Sequence, residues 1–331
     1  MSGGADVRPS LLLANLGGID EVLALARVAE EAGATRAWLT ETNGPDALVA
    51  AAALASRTTL EVGTAVVSAA TRTPPVLAMA AADLAHLSGR PVHLGLGAGG
   101  QVVVEAWHGL DLAGSVARID DALTIVRQAL DGGRTDHVGS QWRSRGFRLS
   151  SPPATPVRLY VGGMGPRMLE LAAARADGLI TSWMGVEGVA ARAAALHAAA
   201  AAAGRAPGSV RLLARAYVAV TDDPAPVREA VRAELVEYLV SPPYGRAFAA
   251  LGWGDEVDGA EGAFARGDRE AATASVSDAL LDDMLIAGPA GTCRRRLAEL
   301  RAAGADEVLV QPVPHARAGD PSGTVRACFG G

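Results

Sequence analysis

Short apolar runs alternate along this chain with longer stretches in which apolar residues recur every three or four positions. The runs read as buried strands and the longer stretches as amphipathic helices. Leu11-Leu12-Leu13-Ala14 is the first run, closed by Gly17-Gly18. Asp20 then caps a helical pattern through Val22, Leu25, Ala26, Ala29 and Ala32, which Gly33 stops. Ala37 to Thr40 is a second strand, and Pro45-Asp46 opens a helix to about Ser56. Leu60 to Val67 is the third strand, and Pro74-Pro75 starts a helix that ends near Ser88-Gly89. Val92 to Leu96 is the fourth, followed by a helix over Ser115 to Leu130 with Ile119, Leu123, Val126 and Leu130 on one face.

Residues 131–156 are rich in Gly, Arg, Ser and Pro and read as a loop. Strands follow at Leu159 to Val161, Gly178 to Thr181 and Val210 to Val220, each with its helix. Residues 241–284 break the rhythm and read as two or three helical pieces around Trp253 and Phe264. A helix over Ala290 to Ala303 and a strand over Glu307 to Val310 restore it. Eight strands that alternate with helices, each apolar on both faces, predict a parallel sheet closed into a (β/α)8 barrel. An open doubly wound sheet with a helical appendage is the second choice. One domain over residues 1–331 is expected, with 241–284 as a helical insertion.

Composition narrows the chemistry. Half of the 331 residues are hydrophobic and only 4% aromatic, so the core is aliphatic and alanine-rich, and disorder is excluded. All 30 basic residues are arginine. Without lysine there is no Schiff base, pyridoxal-phosphate anchor or Walker A motif. A formal charge of −6 with dispersed arginines disfavours nucleic acid as a partner. Cys293 and Cys328 form no Cys-x-x-Cys pair and read as inert buried thiols. Met1 to Ser10 carries no apolar leader-like run, and the alanine-rich stretch Val189 to Ala203 holds Arg192 and His197. No membrane partner and a cytoplasmic location are therefore expected.

In a barrel, function sits where the strands end at their carboxyl side. The loops concerned are Glu41 to Pro45, Ser68 to Pro74, Gly97 to Leu110, Gly162 to Pro166 and Ser182 to Gly185. Gly162-Gly163-Met164-Gly165-Pro166-Arg167 joins a strand end to a helix start whose free N–H groups can hold an anion, with Arg167 adding charge; a plain glycine turn is the alternative. Gly95 to Gly100 matches G-x-G-x-x-G but follows the fourth strand, not the first. It reads instead as a glycine-rich strand end, with Gly97 and Gly99, that lets a flat ligand or another backbone approach closely. Small residues from Ser68 onward suit a flat ring or an ordinary loop. His86, His93, His108, His137, His197 and His315 show no metal-ligand spacing, and no Gly-x-Ser-x-Gly elbow occurs. His93, inside a strand, reads as a barrel-interior residue. His108, beside Trp107 in a candidate loop, reads equally as catalyst or bystander.

These segments resemble the bacterial luciferase-like family, specifically its coenzyme F420-dependent oxidoreductases. The landmarks are Trp38-Leu39-Thr40-Glu41, Gly63 to Val67 leading to Arg72-Thr73-Pro74, Gly89-Arg90-Pro91 with Leu94 to Gly97, and Val104 to Gly109. They continue through Tyr160 to Gly163 with Gly165 to Leu171, Ala176-Asp177-Gly178, Ile286 to Pro289 and Arg301 to Glu307. The resemblance implies a barrel with insertions, a homodimer, and a tricyclic ring held at the strand carboxyl ends. It implies that the ring rests on a third-strand bulge with a non-proline cis peptide, which falls at Ala65-Val66 with Thr64 and Ser68 adjacent. It also implies that the cofactor's phosphate meets Gly162 to Pro166.

Two family features are missing. Thr42 and Asn43 stand where many relatives carry a histidine, and Gly100-Gln101 where some carry a proton-donating glutamate. Glu41, Asn43 and His108 remain as polar candidates for acid–base work. An F420-dependent oxidoreductase acting on a small-molecule substrate is the first reading. An FMN-dependent monooxygenase and a non-catalytic flavin-binding relative are the alternatives.

Overall fold

The computed structural model describes residues 9–314 and 317–330; the segment before these and His315 lie outside the described residues. The chain runs β1 (Ser10–Leu13), α1 (Ile19–Glu31), β2 (Arg36–Leu39), α2 (Ala47–Arg57), β3 (Glu61–Thr64), β4 (Val67–Ser68), α3 (Pro74–Ser88) and β5 (Val92–Gly97). A π-helical turn (Val102–Trp107) precedes α4 (Ser115–Leu130), β6 (Asp136–Val138), β7 (Arg143–Arg145), β8 (Val157–Gly162), α5 (Pro166–Arg175) and β9 (Gly178–Thr181). Then come α6 (Val186–Ala202), β10 (Arg211–Val220), α7 (Ala225–Leu239), α8 (Pro242–Ala250), α9 (Gly254–Ala265), α10 (Arg269–Ala274) and α11 (Asp278–Met284). The chain closes with β11 (Leu285–Gly288), α12 (Ala290–Ala302), β12 (Glu307–Pro312) and α13 (Pro321–Phe329).

Parallel pairing runs β1-β2-β3-β5-β8-β9-β10-β12 and returns to β1, a closed eight-stranded barrel ringed by helices. Every expected strand is present. Local chemistry sets the helix starts: the Asp46 carboxylate accepts the N–H groups of Leu48 and Val49 at 2.9 and 3.0 Å, capping α2. Pro74 and Pro166 occupy the first turns of α3 and α5, where a missing N–H costs nothing. Gly89, at φ 63°, ends α3.

Three details depart from expectation. Residues 131–156 contain the antiparallel hairpin β6–β7. Its strands, Asp-His-Val and Arg-Ser-Arg, expose polar groups and carry no apolar alternation. The buried Asp121 carboxylate anchors it, accepting from His137 Nε2 at 2.8 Å and from the N–H groups of Gln141 and Trp142. The 241–284 segment holds four short helices, and β11 then pairs with the outer half of β10, beyond the part that closes on β9.

The barrel interior is stacked in levels. At the amino-terminal end the Glu307 carboxylate accepts from Ser10 Oγ, Trp38 Nε1, Arg36 and Arg211 at 2.6–3.0 Å. Arg36 also pairs with Glu61, which takes a 2.9 Å hydrogen bond from His93 Nε2. Above them lie Leu12, Ala14, Trp38, Tyr160, Ile180, Leu213 and Leu309, all buried. Trp38 fits because Gly63 has no side chain; a Cβ there would lie 2.6 Å from the indole. Trp38 and Tyr160 meet edge to face at 5.3 Å. His93 is buried here, as its place in a strand suggested. Its Nε2–H donates to Glu61, so its Nδ1 is the acceptor for the Tyr160 hydroxyl at 3.3 Å.

Candidate active site

The third barrel strand is interrupted above this floor. β3 ends at Thr64, the Ala65–Val66 peptide is cis, and β4 resumes the pairing with Val67 opposite Leu96 and Ser68 opposite Gly97. The expected bulge is thus at the expected residues. Thr64 is buried, and its hydroxyl donates to the Gly95 carbonyl and accepts the Gly95 N–H, both at 2.9 Å, clamping β3 to β5. Ala65 and Val66 pack on the interior cluster and form its upper surface. Val66 nests between two glycines. A Cβ at Gly97 would lie 2.4 Å from Val66 Cγ2, and one at Gly162 2.7 Å from Val66 Cγ1.

Ser68 fixes the neighbouring loop, accepting the Ala70 N–H at 3.2 Å and donating to the Ala98 carbonyl at 3.3 Å. Gly99 has φ 83°, and a Cβ there would clash with Val104 at 2.7 Å. The loop then enters the π-helical turn, whose Val102 and Trp107 are exposed, with Leu110 just beyond.

The turn after β8 carries the residues that the sequence marks as candidates to hold an anion. Gly163 donates its N–H to the Ile180 carbonyl at 3.0 Å, so it belongs to the sheet. Gly162, Gly163 and Gly165 all lie outside the left-handed region, so none of them is there for a positive φ. Their small size matters instead: a Cβ at Gly163 would meet Met168 at 2.6 Å, whereas one at Gly165 would enter open space. Gly165 is the N-cap of α5, and Pro166 has no N–H to offer. The N–H groups of Arg167 and Met168 in the first helical turn have no intrahelical acceptor. The Arg167 side chain is exposed.

A second cation reaches this turn that the sequence did not single out. Arg192 of α6 donates through Nη2 to the Met164 carbonyl at 2.5 Å. Its guanidinium has no carboxylate partner among the described residues, and partial burial lowers its pKa from the ordinary arginine value. Uncompensated positive charge beside free N–H groups at a helix start suits a phosphate.

The polar candidates are differently placed. Glu41 spends both carboxylate oxygens on the Arg72 guanidinium, and one also accepts the Ala47 N–H at 3.1 Å. Arg72 pairs with Asp46 as well, tying the loops after β2 and β4 together. Asn43 and His108 are exposed, His108 at the end of the π-helical turn.

On the far side, β10 and β12 contribute inward residues one step beyond Leu213 and Leu309. Arg215 Nε donates to Gln311 Oε1, and the Arg215 guanidinium lies 5.9 Å from the Trp183 ring. Trp183 stands edge to face on Tyr217 at 5.6 Å and contacts Tyr238 at 5.0 Å, with Tyr244 beyond. Trp183 is non-glycine yet has φ 54°, a conformation that concentrates at functional sites. Burial and the neighbouring Glu234 carboxylate hold the Tyr217 phenol protonated well above its ordinary range.

The sequence model of the luciferase-like monooxygenase family matches residues 5–307. This chain belongs to the luciferase-like monooxygenase family. Among its relatives, the 5,10-methylenetetrahydromethanopterin reductase of Archaeoglobus fulgidus is 27% identical over 292 residues, covering 86% of each chain. Of solved structures, the coenzyme F420-dependent tetrahydromethanopterin reductase of Methanopyrus kandleri superposes with a TM-score of 0.82 at 20% identity, over 97% of each chain. An F420-dependent secondary alcohol dehydrogenase bound to an F420–acetone adduct superposes at 0.75 and 15% identity, over 97% of this chain and 99% of that one. Both structures share the fold of the present chain. Among the described residues no helix is long and apolar enough to cross a membrane.

Proposed function

We propose that this luciferase-like protein is a coenzyme F420-dependent oxidoreductase whose site is the carboxyl-terminal mouth of the barrel. The observation that carries the reading is the combination, in one mouth, of the Ala65–Val66 platform between Gly97 and Gly162 and a phosphate-ready turn with its own uncompensated arginine. A Mycobacterium tuberculosis relative, 28% identical over 322 residues and 86% of this chain, carries coenzyme F420-dependent oxidoreductase in its name and supports the choice of cofactor. The residues present fit the group: Met164, Gly165, Arg167 and Met168 border the turn, Arg192 supplies charge, and Ala65 and Val66 give the ring an apolar floor.

Hydride transfer at C5 of the deazaflavin ring is the chemistry this cofactor supplies when bound. The chain's part is orientation and exclusion of water. Val66 would support one face of the ring, and Ser68 and Gly99 hold the loop beside the platform. The Glu41–Arg72–Asp46 cluster braces the rim. With both oxygens engaged, Glu41 acts as that brace, and Asn43 and His108 are left as the exposed polar candidates.

The reading includes one domain over residues 1–331 with 241–284 as a helical insertion, and a cytoplasmic homodimer. Val49 on α2 and Val76, Met79 and Leu87 on α3 are each about half exposed, an apolar face suited to a second copy.

An FMN-dependent monooxygenase is the second reading, favoured by the family to which the chain belongs. The two separate on oxygen. Purified protein is mixed with reduced F420 or reduced FMN, with and without air, alongside unsaturated, imine and carbonyl compounds. Anaerobic oxidation of reduced F420 is expected; turnover that needs both FMN and oxygen would overturn the proposal.

A further inference from the structure

Arg215 is a half-buried cation inside the barrel mouth with no carboxylate within ion-pair distance among the described residues. At the barrel floor, Arg36 pairs with Glu61 and Glu307, Arg211 pairs with Glu307, and Arg158 is exposed to water. Glu234, the acid behind Tyr217, is taken by Arg317 at 2.5 Å. A guanidinium taken out of water without a counter-ion is costly, so a fold that keeps one there has a ligand for it.

The partner side chain is incomplete in the same way. Gln311 is fully buried, and its Nε2 has no acceptor among the described residues. Arginine has only donors, so the amide atom that faces Arg215 Nε must be the oxygen. That fixes Nε2 as the unsatisfied group, one amide width from the guanidinium. The buried Trp183 Nε1 also lacks an acceptor. Two unsatisfied donor groups, Gln311 Nε2 and Trp183 Nε1, thus belong to the two side chains that touch the uncompensated Arg215, and what all three lack is oxygen acceptors. A planar carboxylate matches a guanidinium edge and adjacent N–H groups better than a single-atom acceptor does.

The cofactor's phosphate already has its own place, on the turn after β8 with Arg192. Arg215 on β10 and Gln311 on β12 lie two and three strands further round the barrel. We propose that Arg215, Gln311 and Trp183 form a carboxylate-recognising subsite, so that the substrate carries a carboxylate beside the group that is oxidised or reduced. The proposal deepens the oxidoreductase reading and rests on it for the word substrate, but the binding event itself does not require the cofactor. Trp183 and the tyrosines behind it would wall the apolar body of such a molecule.

The test uses cinnamate and its methyl ester as matched probes, titrated by calorimetry into the cofactor-free protein. Cinnamate is expected to bind at least about tenfold more tightly than the ester, the sort of penalty that follows when a site's polar groups lose their acceptor. Arg215→Met should abolish that preference, Gln311→Leu should reduce it, and Arg192→Met should leave it intact. F420 and FMN are titrated separately into the same proteins, and their affinities should stay within about twofold in the Arg215 and Gln311 variants. Equal binding of acid and ester by the wild type overturns the proposal, whatever the variants do. So does a large loss of F420 or FMN affinity in Arg215→Met with the acid preference retained, because the pair would then read the cofactor ring. Failure of the wild type to bind either cofactor would sink the oxidoreductase reading alone, since the acid–ester comparison is made without cofactor.

Discussion

Val66 occupies the space that a side chain at Gly162 would need: its Cγ1 lies 2.7 Å from the Cβ position of that glycine. The platform under the proposed ring is therefore defined by what β5 and β8 omit as much as by what the bulge supplies. Gly162→Ala and Gly97→Ala should both push Val66 toward the ring position. Overpacking of this kind costs about 1–3 kcal/mol, so the melting temperature should fall by a few degrees. Cofactor affinity should fall by about tenfold or more. Melting curves and F420 titrations of the two variants check this, and unchanged affinity would place the ring elsewhere.

The phosphate turn gives a prediction with opposite signs in two assays. Gly165 is the N-cap of α5, makes no side-chain cap and has open space at its Cβ position. Gly165→Asp should leave the cofactor-free protein as stable or slightly more so, because aspartate caps helices well. The same carboxylate would stand beside the phosphate and weaken FMN binding by about tenfold, roughly 1.4 kcal/mol, while leaving riboflavin, which has no phosphate, unaffected. Equal effects on FMN and riboflavin would rule out a phosphate at this turn.

Removing the Arg192 charge tests the same site from the other side. Arg192→Met should weaken FMN but not riboflavin, and the wild-type advantage should shrink with added salt only modestly, since the guanidinium is partly shielded from solvent. Calorimetric titrations at two ionic strengths decide it.

Acid should destabilise the barrel floor. Burial, opposed by the Glu61 hydrogen bond, holds the His93 pKa below its ordinary 6.5. Burial pushes the Glu61 carboxyl up, but hydrogen bonds and charge from His93 and Arg36 outweigh it and hold the group at about 2. Both pKa values are depressed on folding, so both groups bind protons more readily when the chain is unfolded. The His93 contribution is complete above pH 6.5 and is lost as pH falls below that value. The Glu61 contribution begins to fade below 4.5 and is gone near 2. Melting temperature should accordingly be flat above neutrality and fall in two stages on acidification. His93→Gln should remove the first stage, and an unaltered profile in that variant would contradict the assignment.

The barrel was legible because its strands are buried on both faces and so appear as unbroken apolar runs, from Leu11-Leu12-Leu13 to Val308-Leu309-Val310. The hairpin at residues 136–145 was not, because its side chains face water and its anchor, Asp121, lies on a distant helix. β11 was hidden because four residues at the end of a helical run carry no period of their own. At the site, the turn from Gly162 to Arg167 was readable from its glycines and Pro166, whereas the cis bulge at Ala65-Val66 was implied only by the family resemblance. Arg192, Arg215 and Gln311 were not readable. An arginine in an alanine-rich helix or an alternating strand looks like a surface residue, and only closure of the barrel turns these side chains toward the mouth. Glu41 shows the converse, since the sequence marks its position but not that Arg72 holds both its oxygens.

The central claim is that the mouth of this barrel is built for a deazaflavin with a phosphate-bearing tail. It is tested most directly by equilibrium titration of oxidised F420 and of FMN into the purified protein, followed by the quenching of each chromophore's fluorescence. The account predicts saturable one-to-one binding of F420 at least about tenfold tighter than FMN. Preference for FMN by a similar factor, or no saturable binding of F420, would contradict it.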